Sequence, residues 1–482
     1  MNIADIDWGN DSAEKDPNLL KYFVDHPSLE RLKRRSKSFI IGRKGAGKSA
    51  IRKKYLDLSK DWDDNYVFEL SPTFNIFSSI LSDNEIKTNF NKEIFFQYVW
   101  LNNLYRKALI EIGNNPKNES SAVFNYAKQF SKEKDHKEKN LLDTAIDLVN
   151  RLKIKAGKLG ELGLEIEKII RSNSDIDVYE NELRKITTAG FKITWIIDDL
   201  DLGWNNSNVA NNLLLGLLTC SNYIKNISSN LHLIICLRED VYRILMTKTQ
   251  HSDKYRDIEK ASWDTESLVG LLEERIKFNF ENNNEPATGN LFGKVFPNKV
   301  GVALIDTWLS ERTLSRPREL LQLSRLYTEK NTSNEPDAEI LKSVELEYSN
   351  WKLEDLSTEY SNQYPNIYEL FKFWKSNYYR HKYHLKKEEF EEIFLKIITE
   401  LNIASEWFMN IVNSLNPNDL LKVLYEIGFI GDFILGGAGG SKTIYSFNEV
   451  HEPIFDEFQI HPCFRKSMGT VDRIRKKSKT TL

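Results

Sequence analysis

The sequence predicts an α/β protein: a parallel, three-layer sheet core, then a helical lid, then a C-terminal domain of helices and a β-hairpin. Three observations carry this expectation. A short apolar run, Ser38–Ile41, feeds a glycine-rich loop at Gly42, and Lys48–Leu58 then takes up helical spacing. Two further β-branched apolar runs, Ile193–Ile197 and Leu231–Leu237, are short and continuous, as strands covered on both faces are. Val209–Tyr223, between them, has helical periodicity, and strand–helix–strand repeats of this kind build a parallel sheet with helices on both faces.

The remaining elements follow in chain order. Residues 1–36 read as a leader and a helix, ending in the basic run Arg31–Lys37, whose arginines read as a solvated helix face. Residues 37–264 read as the core. Tyr66–Leu70 alternates and is β-rich, giving a second strand, and a fifth is expected near Ile258–Trp263. From about 80 to 185 the core is interrupted by a helical insertion or small subdomain, with an aromatic-rich helix at 94–105 and an exposed charged connector at 131–140. Residues 265–345 are helical, with Leu268, Leu271, Leu272, Ile276 and Phe278 on an apolar face. Residues 346–470 continue as helices. They end in a hairpin whose arms are Phe433–Leu435 and Ile444–Phe447, joined by the tip GGAGGSK. Helices followed by such a hairpin are a winged-helix pattern. Residues 471–482 form a short basic tail.

Composition narrows the functional classes. The chain has 482 residues and a formal net charge of −3, so it carries no overall electrostatic footprint of a nucleic-acid binder. Its 40% hydrophobic content is enough for sizeable cores. Cys220, Cys236 and Cys463 lack metal-ligand spacing and read as reduced packing residues, and His461 beside Cys463 reads as structural. The acidic, polar N-terminus is unlike a signal peptide, and no run approaches the ~20 apolar residues that cross a bilayer. A cytoplasmic protein without membrane contact is expected.

The strongest chemical signal is Gly42-Arg43-Lys44-Gly45-Ala46-Gly47-Lys48-Ser49, followed by Ala50, which matches G-x-x-x-x-G-K-[ST]. The glycines let successive N–H groups face one anion, and the helix that follows adds its positive end. Lys48 is expected to reach the β and γ phosphates of a nucleotide, and Ser49 to ligate Mg²⁺. A P-loop NTPase core follows from this loop in its strand–loop–helix setting. The second signal is Trp195–Asp201, a strand ending in acids. Asp198 is expected in the Mg²⁺ shell and Asp199 at the attacking water, with Asp201 as a rival or a structural cap. The third is Arg238, at the end of the next strand, placed to sense the γ-phosphate or to pair with Asp240 or Glu239. The fourth is Ser315–Leu320, where Arg316 or Arg318 could be brought from a second subdomain onto the nucleotide, with Pro317 opening a helix.

These motifs resemble the STAND and AAA+ branch of P-loop NTPases. The paired acids Asp198-Asp199, the strand-terminal Arg238 and a later proline motif in a helical lid carry the resemblance. It implies that ATP holds one arrangement of core, lid and winged helix and ADP another. One departure stands out: STAND lids usually carry Gly-x-Pro, whereas Ser315-Arg316-Pro317 looks closer to an AAA+ sensor. More narrowly, the chain is similar to a bacterial family of single-chain P-loop ATPases. The shared segments are the leader at 5–24, the loop at 42–50, the acids at 197–204, Leu237–Tyr242, and the ending Ile460–Met468. The resemblance implies a role of the kind that members of the wider class often have, in defence against phage and other mobile elements.

Three functions are therefore in view. The first is an ATP-hydrolysing switch, with ATP and Mg²⁺ as cofactors, that reports to a protein partner or a second copy. The second is a DNA-binding loader or regulator using the winged helix and the basic tail. The third is a non-hydrolysing nucleotide-bound scaffold, against which the intact Asp198-Asp199 pair argues. No N-K-x-D motif is evident, which favours ATP over GTP.

Overall fold

The computed structural model describes residues 1–72, 74–84, 86, 92–133, 140–156, 171–172, 174–333, 335–436, 440–448 and 451–472. The tail from 473, the middle of the glycine-rich tip and most of the charged connector lie outside the described residues. The chain folds as two compact units, one of Asp25–Ala261 and one that joins Met1–Val24 to Ser262–Leu482. The N-terminal segment 1–36 is thus divided, its first 24 residues belonging with the C-terminal half.

The first unit is built on five parallel strands: β1 (Phe39–Gly42), β2 (Asn65–Leu70), β3 (Lys192–Ile197), β4 (Leu231–Arg238) and β5 (Ile258–Lys260). Their order is β2-β3-β4-β1-β5. Every residue of β1 is buried, as are all but the first of β3 and all but the last of β4. That is why these strands read as continuous apolar runs rather than alternating ones. Ile235 pairs with both Phe39 and Ile197, and Arg238 with Gly42. This register brings Gly42, Arg238 and the residue after Ile197 to one edge of the sheet. β5 is shorter than expected and stops at Lys260. Ala261 N still donates to Ile41 O (2.9 Å), and the next residue belongs to the other unit.

The aromatic-rich helix runs from Glu93 to Asn114 and buries twelve side chains. It lies in one apolar core with β3 and the helix Asn208–Ile227. Two indoles reach backbone acceptors inside that core: Trp100 Nε1 donates to Leu213 O (2.9 Å) and Trp195 Nε1 to Leu104 O (2.8 Å). A buried Trp is tolerated because its N–H finds a partner. The basic run is not simply a solvated face. Arg31 pairs with Glu259 (2.6 Å), and Arg35 donates to Ile193 O and Asn230 O (3.1 and 2.8 Å).

The second unit has its own apolar core. It contains the helices Thr265–Asn282, Ile305–Glu311, Pro317–Lys330 and Ala338–Glu359, with a short hairpin of β6 (Lys299–Val300) and β7 (Ala303–Leu304) that periodicity did not reveal. The helices Ile367–Asn377, Lys387–Glu400 and Pro417–Glu426 follow, around β8 (His384–Lys386), β9 (Ile430–Ile434), β10 (Lys442–Ile444) and β11 (Glu457–Ile460). These four strands form an antiparallel sheet in the order β10-β9-β11-β8. The expected hairpin is β9–β10, but both arms start earlier than the sequence pattern placed them. Thr443 pairs with Phe433, while Leu435 is exposed beyond the strand. Tyr445 and Phe447 leave the ladder because they stack on each other (centroids 5.4 Å apart) and pack around His461. His461 accepts from Cys463 N and opens a one-turn helix, so the pair is structural.

Candidate functional site at the glycine loop

The loop between β1 and the helix Lys48–Ser59 holds two glycines at positive φ, Gly45 at 81° and Gly47 at 90°. A side chain at either position would be strained. Gly42 is constrained by space instead: a Cβ there would stand 3.1 Å from Ala261 Cβ and 3.3 Å from Ala46 Cβ. Ala46 N donates to Arg43 O (3.1 Å), closing the turn. Lys48 is folded back across the loop, its Nζ donating to Gly42 O (2.8 Å) and Arg43 O (3.3 Å). Arg43 is buried, whereas Lys44 and Ala50 are half-buried.

Ser49, in the first turn of that helix, donates from Oγ to Asp198 Oδ2 at 2.8 Å. Asp198 is buried at the end of β3, and its backbone N–H donates to Leu70 O (3.3 Å). Each residue was expected at Mg²⁺ from its own motif and their direct hydrogen bond was not, and β3 and β1 are not neighbours in the sheet. β4 lies between them, and the helix after β1 crosses back to reach Asp198. Asp199 follows with φ 60°, an uncommon conformation for a residue with a side chain, and is half-buried.

Arg238 leaves the C-terminal end of β4. Its Nε and Nη2 grip Asp240 in a fork (3.0 and 2.7 Å), and Nη1 stands 3.5 Å from Asp201 Oδ2. The carboxylate pairing that competes with a phosphate-sensing role is thus made. Beneath the site, Cys236 is fully buried; burial, then the Asp198 carboxylate, push its thiol well above the ordinary range, so it stays protonated and inert.

Arg52 was missed. It lies three residues after Ser49 on the same helix face and is buried. Its Nε is 3.4 Å from Asp198 Oδ2, and its Nη1 donates to Glu69 Oε1 (2.5 Å) and Ser71 Oγ (3.0 Å). Its i, i+3 spacing from Ser49 is the signal that could have revealed it.

The two lid arginines lie in the second unit and differ sharply. Arg316 is buried, with Nη1 2.7 Å from Glu359 Oε2 and Nε 3.4 Å from Glu319 Oε1. Lys352, fully buried, shares Glu319 at 2.8 Å. Arg318 is half-buried and makes no ion pair or hydrogen bond among the described residues. Among the described residues no group of three or more His, Cys, Asp or Glu side chains is placed to hold a metal ion, and no helix is long and apolar enough to cross a membrane.

Residues 266–357 match the model of a family described as a FunZ-associated C-terminal helical domain. No curated protein matches the chain. Among solved structures it is similar to that of the Aeropyrum pernix ORC2 protein in ADPNP–ADP complexes, at 9% identity and a TM-score of 0.37, over 94% of this chain and 96% of that one.

Proposed function

We propose that the protein is a nucleotide switch that binds ATP at the Gly42–Ser49 loop and hydrolyses it slowly or on contact with a partner. The observation that carries the proposal is the 2.8 Å hydrogen bond from Ser49 Oγ to Asp198 Oδ2. A loop that turns N–H groups inward can hold phosphates, but glycine turns do so without chemistry elsewhere. A buried carboxylate aimed at the hydroxyl beside the lysine is what a phosphate-bound cation needs.

Each residue then has a task. Lys48 exchanges the carbonyls of Gly42 and Arg43 for β- and γ-phosphate oxygens, a small movement because its Nζ already lies over the loop. Ser49 and Asp198 fit Mg²⁺, a hard cation that takes a hydroxyl and a carboxylate together with phosphate oxygens and water. When bound, that ion neutralises charge on the phosphates. Asp199 orients the attacking water. Arg238, held beside the loop by Asp240, senses the γ-phosphate by exchanging that carboxylate for it. Of the two lid arginines, Arg316 is already committed to Glu319 and Glu359, so Arg318 is the one proposed to act in turnover.

The C-terminal helices and four-stranded sheet act as a winged-helix reporter. The helix before β9 carries Lys422 alongside Asp419 and Glu426, a poor match to phosphate backbones and better suited to a protein partner, such as an effector in antiviral defence. The test is Lys48→Ala, with ATP binding and turnover measured at matched Mg²⁺. Loss of both supports the switch; a variant that keeps both removes the mechanism.

A further inference from the structure

Residues 7–9 belong to no helix or strand, yet their backbone is held closely. Asn279 takes both backbone groups of one residue: its Oδ1 accepts from Asp7 N (2.8 Å) and its Nδ2 donates to Asp7 O (2.9 Å). Arg275 Nη1 donates to Trp8 O, and Arg325 Nη2 donates to Gly9 O (3.1 Å). Three successive carbonyls are thus taken by side chains from two helices, Thr265–Asn282 and Pro317–Lys330. Arg275 and Asn279 are themselves buried, at 4% and 5% exposure.

Side-chain selection accompanies this backbone grip. Trp8 is 2% exposed, packs beside Phe296 (6.0 Å), and donates from Nε1 to Thr328 Oγ1 (2.9 Å). Gly9 has φ 72°, and a Cβ there would collide with Tyr22, Arg275 and Asp16. Asp16 is buried, lies 3.5 Å from Arg275 Nη1 and accepts from Tyr22 Oη (2.6 Å). Arg325 also pairs with Asp11 (2.9 Å). Main-chain hydrogen bonds that hold a segment outside any helix or strand, with pockets that choose its side chains, are the logic of peptide recognition rather than of ordinary core packing.

We propose that the helix pair Thr265–Asn282 and Pro317–Lys330 forms a peptide-binding cleft, and that its ligand is the chain's own segment 1–24, selected by Trp8-Gly9 and Asp16. The segment is held as a ligand and does not need covalent continuity to stay. The P-loop unit consequently enters and leaves through the second unit at 24/25 and 261/262, and the first of these tethers ends in a docked peptide.

The test uses the full chain with a protease recognition sequence inserted between Val24 and Asp25, where Asp25 is exposed. After cleavage, the segment should co-elute with the rest on size exclusion, and labelled peptide 1–24 should exchange into its place. A Gly9→Ala peptide should compete at least about tenfold more weakly, since a strained φ and a steric clash each act against it. Asn279→Ala in the chain should speed release of the native segment. Because the glycine change is carried by the peptide, folding of the chain does not confuse its readout. Loss of the segment from the cleaved wild type on the column, or equal competition by the Gly9→Ala peptide, would overturn the proposal. ATP turnover plays no part in either result, so failure here is distinct from failure of the nucleotide reading.

Discussion

Ser49 and Asp198 lie 149 positions apart, yet the serine hydroxyl donates to the buried carboxylate at 2.8 Å. Replacing Asp198 by Asn keeps an acceptor for that hydroxyl and removes only the charge. Mg²⁺-dependent ATP affinity should then fall about tenfold to a hundredfold, while binding measured in EDTA changes little. Calorimetric titration with and without Mg²⁺ separates the two. Equal losses in both conditions would mean that Asp198 shapes the loop instead of serving a cation.

Arg52 ties the same carboxylate to the end of β2 through Glu69 and Ser71. An Arg52→Met variant would leave Asp198 buried without its countercharge, at a cost of about 3 kcal/mol to the first unit. Arg52→Lys should recover only part of this, because an ammonium cannot span three acceptors as a planar fork does. Urea unfolding followed by tryptophan emission reads the effect. A stable methionine variant would show that the 3.4 Å approach contributes nothing.

The parts legible in the sequence are those written in local patterns. The Gly42–Ser49 spacing fixed a loop, and the apolar runs ending at Ile197 and Leu237 fixed strands whose ends carry Asp198 and Arg238. What was not legible depends on which way a helix turns its side chains and on partners closed over long loops. The i, i+3 spacing puts Arg52 on the face of Ser49, but that this face meets Asp198 is written in no local pattern. Arg316 and Arg318 are two residues apart, and only tertiary burial separates the committed guanidinium from the available one. Asp7 meets Asn279 across 272 positions, a pairing that no window of periodicity contains. The hairpin was visible, but its register shifted because Tyr445 and Phe447 pack around His461 rather than continue the ladder.

His232 gives the first unit a pH dependence. It is buried in β4, its Nε2–H donates to Lys37 O (2.9 Å), and its Nδ1 has no partner among the described residues. Burial first, then the charges of Arg35 and Lys225, push its pKa down to about 3. The folded state therefore keeps the ring neutral, while the unfolded chain protonates it near the ordinary value of about 6.5. Below that value the unfolded state binds the extra proton, so stability falls as pH drops from about 6.5 towards 3. The loss from pH 8 to pH 5 should be about 2 kcal/mol from this group. His232→Gln, which retains an N–H for Lys37 O, should flatten that slope in urea midpoints taken across the range. An unchanged slope would assign the acid sensitivity elsewhere.

The two lid arginines predict opposite phenotypes. Arg316 is locked between Glu319 and Glu359, both of which are buried, and Lys352 shares Glu319. Arg316→Met would leave two carboxylates around one lysine and should destabilise the second unit by about 3 kcal/mol, whether or not nucleotide is present. Arg318 has no such commitment, so Arg318→Ala should leave the unfolding midpoint of apoprotein within about 0.5 kcal/mol of wild type. On the proposed reading its effect appears in turnover instead, as a fall in kcat of about a hundredfold. Paired urea unfolding and single-turnover ATP hydrolysis on the two variants would decide the assignment. A stability loss confined to Arg318→Ala, or a turnover loss confined to a well-folded Arg316→Met, would reverse it.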